Sequence, residues 1–161
     1  MNEKMEIALK LREEGKNKES NQLLIKLSEA FPTDAILQYQ CAWSFDVLGE
    51  EAKAAPYYER AIEYGLPTRE LEGAILGLGS TYRTLGEYEK SKKIFLKGLN
   101  LFPNNKAIKV FYSMTLYNLN EHNKAMEILL SSLLDSTNDE EIIRYQKAIR
   151  FYSDKLDDTW N

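Results

Sequence analysis

Amphipathic helical segments alternate with short stops along this chain, and the stretch Leu76–Pro103 shows the unit most clearly. Leu78-Gly79 and Tyr82 open a first helix and Gly86 closes it. Ser91, Phe95 and Gly98 space a second helix, and Pro103 stops it. The order returns elsewhere. The small residue Gly79 corresponds to Ala8, Ala42 and Ser113, and the large residue Tyr82 to Leu11, Phe45 and Leu116. The turn residue Gly86 corresponds to Gly15, Gly49 and Asn120. In the second helix Ser91 corresponds to Ser20, Ala54 and Ala125, and Phe95 to Leu24, Tyr58 and Leu129. Gly15 and Gly49 stand 34 residues apart, as do Gly86 and Asn120, while Gly49 and Gly86 are 37 apart. The pattern predicts helix pairs. A small side chain lets a partner helix approach and a large one fills the space beside it. Glycine, then asparagine, takes a left-handed turn most readily, and proline ends a helix.

This unit resembles the tetratricopeptide repeat, whose pattern of Trp, Leu-Gly, Tyr, Ala, Phe and Pro spans about 34 residues. Ile75 takes the Trp place here and Ser91 the Ala place. The resemblance implies an all-α, right-handed superhelical solenoid of about four helix-turn-helix units, 1–34, 35–66, 69–105 and 106–137. A capping helix over about 139–156 closes the array, all in one domain, 1–161. Thr68 is expected to cap the helix after Gly65-Leu66-Pro67, and the three additional residues at this join lengthen it by about one turn. Pro56 is expected early in its helix, where a missing N–H costs least. In the tail, Ile142, Ile143, Tyr145, Ile149, Phe151, Tyr152 and Leu156 form an apolar face, backed by Arg144, Lys147, Arg150 and Lys155. Such a helix would cover the last unit, as repeat arrays require. With its LDDTW ending, this region also looks like a small bacterial family, the group 5 tetratrico-peptide domain. That resemblance implies a fold and no activity.

Composition narrows the function. Hydrophobic residues make up 43% of the 161, enough for a core. No apolar run approaches the roughly 18 residues of a membrane helix, and the charged N-terminal segment does not read as a signal peptide. A single cysteine, Cys41, rules out an internal disulfide and reads as a small core residue. A cytoplasmic location follows by default. The net charge of −4 argues against nucleic acid, and Lys90, Lys92, Lys93 and Lys97 read as a solvated face. The one histidine, His122, falls in a turn, and no metal, nucleophile or phosphate-cradling motif occurs. The glycines of GAILGLGS lie in a helix with no strand before them, so they are no dinucleotide motif. The expectation is a protein with no catalytic residues, metal or cofactor.

By the resemblance, the first helices line a concave face. The lining residues are then Met5, Leu9 and Arg12; Tyr39, Trp43 and Asp46; Gly73, Gly77, Ser80, Arg83 and Thr84; and Val110, Met114 and Tyr117. Family members that grip a chain-terminal carboxylate do so with Lys, Asn and Arg at positions held here by Met5, Leu9, Gln40, Gly73 and Gly77, so that grip is absent. Gly73, Gly77, Ser80 and Thr84 share one helix face, and each glycine costs about 1 kcal/mol against alanine. Either the glycines let neighbouring helices pack closely, or they form a smooth floor for a ligand flanked by Tyr39 and Trp43 and by Val110, Met114 and Tyr117. The expected partner is a peptide or protein segment, with a second copy of the chain as the alternative, and neither nucleic acid nor membrane.

Overall fold

Gly15, Gly49, Gly86 and Asn120 all have positive φ, at 77°, 69°, 76° and 62°, in a computed structural model that describes residues 2–160. The same two backbone hydrogen bonds close each turn. Gly15 N–H donates to Arg12 O at 3.0 Å, and Lys16 N–H donates to Leu11 O at 2.8 Å. The equivalent donors are Gly49 and Glu50, Gly86 and Glu87, and Asn120 and Glu121. This is the Schellman arrangement, in which the last carbonyls of a helix are satisfied by two N–H groups beyond its end. A β-carbon is strained in this conformation, which is why three of the four positions are glycine and the fourth asparagine.

These turns join α1 (Asn2–Glu13) to α2 (Asn17–Ala30), α3 (Ala35–Val47) to α4 (Glu51–Tyr64), α5 (Thr68–Thr84) to α6 (Tyr88–Leu101), and α7 (Lys106–Asn118) to α8 (His122–Leu134). Two short helices follow, α9 (Glu140–Arg144) and α10 (Gln146–Tyr152), and no strand occurs among the described residues. The architecture is all-α. The helix α5 has 17 residues against 13 in α3 and in α7, so the extra residues at the middle join do extend that helix. The described residues divide into two compact units, one ending at Ile94 and the other beginning at Phe95.

In the first unit the core gathers Ala8, Leu24, Cys41, Ala42, Phe45, Ala54, Tyr58, Ala74, Leu78 and Tyr82. These are the small and large positions of the repeat, brought together across helix pairs. Serine replaces alanine twice without leaving a polar group stranded. Ser20 Oγ donates to Ala8 O at 2.6 Å, and Ser91 Oγ donates to Gly79 O at 2.7 Å. Both bonds join the same two repeat positions, so the hydroxyl finds an acceptor on the facing helix and its burial costs little. In the second unit, Ile108, Leu116 and Ala125 are buried.

Three local expectations are corrected. Thr68 is not a cap: it is the first residue of α5, the position before it is Pro67, and no side-chain bond forms there. Two caps of long helices are Asp34, accepting from Leu37 N–H at 2.9 Å, and Asn105, accepting from Ile108 N–H at 3.0 Å; Asp139 caps the short α9, accepting from Ile142 N–H at 3.0 Å. Pro56 lies inside α4, not at its start, so the helix gives up one backbone bond on an exposed side where water reaches the freed carbonyl. The tail is not one helix over 139–156. Tyr145, at φ −100° and ψ 8°, ends α9 and starts α10, so the tail's apolar positions no longer share a face. Ile142 and Ile149 are half-buried, while Ile143, Tyr145, Phe151, Tyr152 and Leu156 are exposed. Phe151, Tyr152 and Trp160 instead pack on one another, with ring centroids 5.1 to 6.2 Å apart. The tail is tied back to α8 by Arg150 on Asp135 at 3.0 Å and by Asn123 on Asp157.

Removal of the two caps separates them from the false one. Asp34→Ala and Asn105→Ala are each expected to lower stability by about 1 kcal/mol, with Thr68→Ala close to neutral, as read by urea denaturation.

Candidate functional site

The face carried by α1, α3 and α5 belongs to the first unit, and its side chains interlock. Tyr39 and Trp43 stand one turn apart on α3, their rings 6.2 Å apart and tilted by 31°. From α1, the Arg12 guanidinium lies 3.9 Å from the centre of the Trp43 ring, within the range of a cation–π contact. Its Nη2 donates to Gln40 Oε1 at 2.9 Å. Trp43 nevertheless remains 42% exposed. Burial is the main influence on the half-buried Arg12 and pulls its pKa down.

Asp46, one further turn along α3, is committed inside the protein. Tyr58 Oη donates to Asp46 Oδ2 at 2.6 Å and Thr81 Oγ1 donates to Asp46 Oδ1 at 3.1 Å. Burial raises the Asp46 pKa, and the two donated bonds offset that only in part. Tyr58 is 2% exposed, and burial followed by the Asp46 charge pushes its phenol far above the usual tyrosine range. Sequence reasoning placed Tyr58 in the core by its repeat position and missed its hydroxyl. The one mark of it in the sequence is the bare position Gly77, which shows that something packs there and not what.

A β-carbon built on Gly77 would lie 2.5 Å from Tyr58 Oη and 2.9 Å from Tyr58 Cε1. One built on Gly73 would lie 3.2 Å from Tyr39 Cζ and closer still to its oxygen. The missing side chains of α5 are thus the seats of two tyrosine rings. At these two positions the geometry is close packing, and the glycines shape the face by letting Tyr39 and Tyr58 lie against α5. Ser80 and Arg83 are half-buried on the same helix and Thr84 is exposed; Met5 and Leu9 are half-buried on α1.

The remaining expected residues belong to the second unit. Val110 is half-buried on α7, while Met114 and Tyr117 are exposed, Tyr117 by 63%. The Tyr117 ring lies 4.8 Å from that of His122. Cys41 is fully buried and its thiol is pushed up to about 11 by burial. Among the described residues, no cluster of three or more His, Cys, Asp or Glu side chains could hold a metal ion. No helix among them is long and apolar enough to cross a membrane.

Successive helix pairs with this turn and this small–large register define a helical-repeat protein. Residues 35–156 match the model of the family described as Tetratrico peptide repeat, and the chain belongs to that family. The matched segment starts at α3, yet α1 and α2 carry the same left-handed turn and the same serine bond. Among solved structures, the chain is similar to the MamA RS-1 ArsTM double mutant, with 11% identity and a TM-score of 0.76 over 97% of this chain and 86% of that one. It is equally similar to MamA 41-end from Desulfovibrio magneticus RS-1, again at 11% identity and a TM-score of 0.76, covering 96% and 87%. At this identity the likeness is one of fold. None of the curated proteins matches in sequence.

Two outcomes follow from the geometry of this face. Gly77→Leu is expected to destabilise the protein by about 2 kcal/mol, because the buried Tyr58 ring cannot yield. Gly73→Ala is expected to cost less, since half-buried Tyr39 can turn; thermal melts of both variants check the order. The second concerns pH. Asp46 holds its proton more tightly in the folded protein than in the unfolded chain, so its contribution to stability falls as pH rises from below about 4 through its raised folded value. Asp46→Asn removes that dependence. Its melting temperature relative to wild type is therefore expected to rise as the pH is increased from about 4.

Proposed function

We propose that this chain is a non-catalytic protein-interaction module, and that the face of α1, α3 and α5 binds a peptide or protein segment. The observation that carries this reading is the half-exposed Trp43 ring, held between Tyr39 and the Arg12 guanidinium. Rigid, partly exposed Trp and Tyr side chains are the commonest binding anchors, and exposure of a pre-stacked ring offers a ligand apolar surface with little ordering cost. Membership of a helical-repeat family supports the same class. Gly73, Gly77, Ser80 and Arg83 form the α5 side of the proposed site, and Asp46 fixes its floor. In the second unit, Val110, Met114 and Tyr117 offer apolar surface of the same kind on α7. Cys41 is shielded and unreactive by its raised thiol pKa, which supports a protein without nucleophilic chemistry. A net charge of −4 supports protein rather than nucleic-acid partners, and a bacterial cytoplasm is the setting we assign.

Self-association is the second reading, favoured by one observation: the exposed Phe151, Tyr152 and Trp160 cluster at the tail. Clustered exposed aromatics are a common mark of an interface. Sedimentation across a concentration series separates the two. A monomer at all concentrations, together with a captured partner whose affinity drops by more than about 1 kcal/mol in Trp43→Ala, is the outcome expected. A concentration-dependent dimer that Phe151→Ser disrupts, with no loss on Trp43→Ala, selects self-association instead.

A further inference from the structure

We infer that Arg12 is the anchor of the peptide-binding face and that the segment bound there presents an aspartate or glutamate side chain to it. This rests on the reading of that face as a binding site. A guanidinium has five N–H donors and no acceptor. Arg12 makes one hydrogen bond, through Nη2 to Gln40 Oε1, and its Nη1 is buried with no hydrogen-bond partner. No ion pair to Arg12 occurs among the described residues. The carboxylate that shares its face, Asp46, already accepts from Tyr58 and Thr81. The protein therefore carries a partly desolvated cation on its proposed binding face that no carboxylate pairs with, the neighbouring Glu13 acting on it only through space. An unpaired, desolvated charge is costly, and a partner carboxylate recovers that cost through short charge-assisted hydrogen bonds.

The geometry also favours recognition over mere charge storage. The guanidinium is fixed twice, by the Trp43 ring against its plane at 3.9 Å and by Gln40 at one edge. A planar donor set held in one orientation selects a planar carboxylate. With Arg12 and Arg83 as the cations of this face and the Asp46 carboxylate on it as well, the charge suits an isolated acid and disfavours a polyanion. Apolar surface lies on α1 at Leu9 and Met5 and on α3 at Trp43 and Tyr39, so the residues around the carboxylate of a bound segment have apolar contacts on two helices. That favours an internal acidic side chain over a chain terminus.

The test pans a displayed random peptide library against the wild-type protein. Selected peptides are then synthesised as they stand, with each Asp or Glu changed to Asn or Gln, and with the C-terminus amidated. Affinities are measured for wild type, Trp43→Ala, Arg12→Met and Gln40→Glu, each first shown to melt cooperatively. Gln40→Glu keeps the guanidinium in place while supplying a counter-charge from within, so the test survives if Arg12→Met does not fold. The expected result is enrichment of one acidic position. Its amide version should bind wild type roughly tenfold or more weakly, both variants at Arg12 and Gln40 should lose that preference, and amidation should have no effect. If the acid-to-amide change is without effect, or if amidation abolishes binding, Arg12 is not the anchor of an internal acid. Sensitivity to Trp43→Ala would then still uphold the peptide-binding face. A library that yields no binder, or only binders indifferent to Trp43→Ala, overturns both.

Discussion

A helix pair can close within three residues only if one of them turns left-handed. Everything else in this protein is arranged around that constraint. At Gly15, Gly49, Gly86 and Asn120 the backbone adopts positive φ and feeds two N–H groups back to the preceding helix. The turn fixes where the second helix starts, and so which of its side chains meets which on the first. That is how Ser20 reaches Ala8 O and, two repeats later, Ser91 reaches Gly79 O. Register, not residue identity, is what the repeat preserves. Serine, alanine and glycine exchange freely at the small positions as long as the facing helix can approach and any hydroxyl finds a carbonyl.

The same register produces the binding face. Tyr58 occupies the large position of the second helix in its pair, where Leu24 and Phe95 stand in other pairs. It is a tyrosine there because its ring passes over the bare backbone of Gly77 and ends on Asp46. A phenol among apolar neighbours needs an acceptor, and Asp46 supplies one. In return, Tyr58 and Thr81 satisfy a carboxylate that burial would otherwise penalise. The α3–α5 contact is thus a packed ring and a closed polar network together, and a change to any one of Gly77, Tyr58 and Asp46 is felt by the others.

How much of this was legible in the sequence follows from which forces are periodic. The helix pairs, the left-handed turns and the long α5 were readable, because each leaves a mark at a fixed spacing. The local errors came where the signal was a residue type without a period. Thr68 looked like a cap because threonine often is one, but Pro67 takes that position and Asp34 and Asn105 do the capping elsewhere. The tail read as one amphipathic helix because its apolar spacing is regular, and nothing in the residues marks the break at Tyr145. The glycine stripe was visible as an anomaly, but its cause was not. The rings that fill Gly73 and Gly77 come from α3 and α4, and a pattern along one helix says nothing about what another lays against it.

Two of the charged groups on this face are held in opposite ways. Asp46 and Arg12 are both partly withdrawn from water, and burial shifts both toward their neutral forms. Asp46 is compensated from two helices and so serves the fold. Arg12 leans on Trp43 and Gln40, neither of which carries a charge. The contact with the Trp43 ring and the bond to Gln40 recover part of the cost of withdrawing a guanidinium from water, but a charge-assisted pair would recover more. A cation without an ion-pair partner in the fold, fixed in orientation beside an exposed aromatic ring, makes sense when a carboxylate arrives on another molecule.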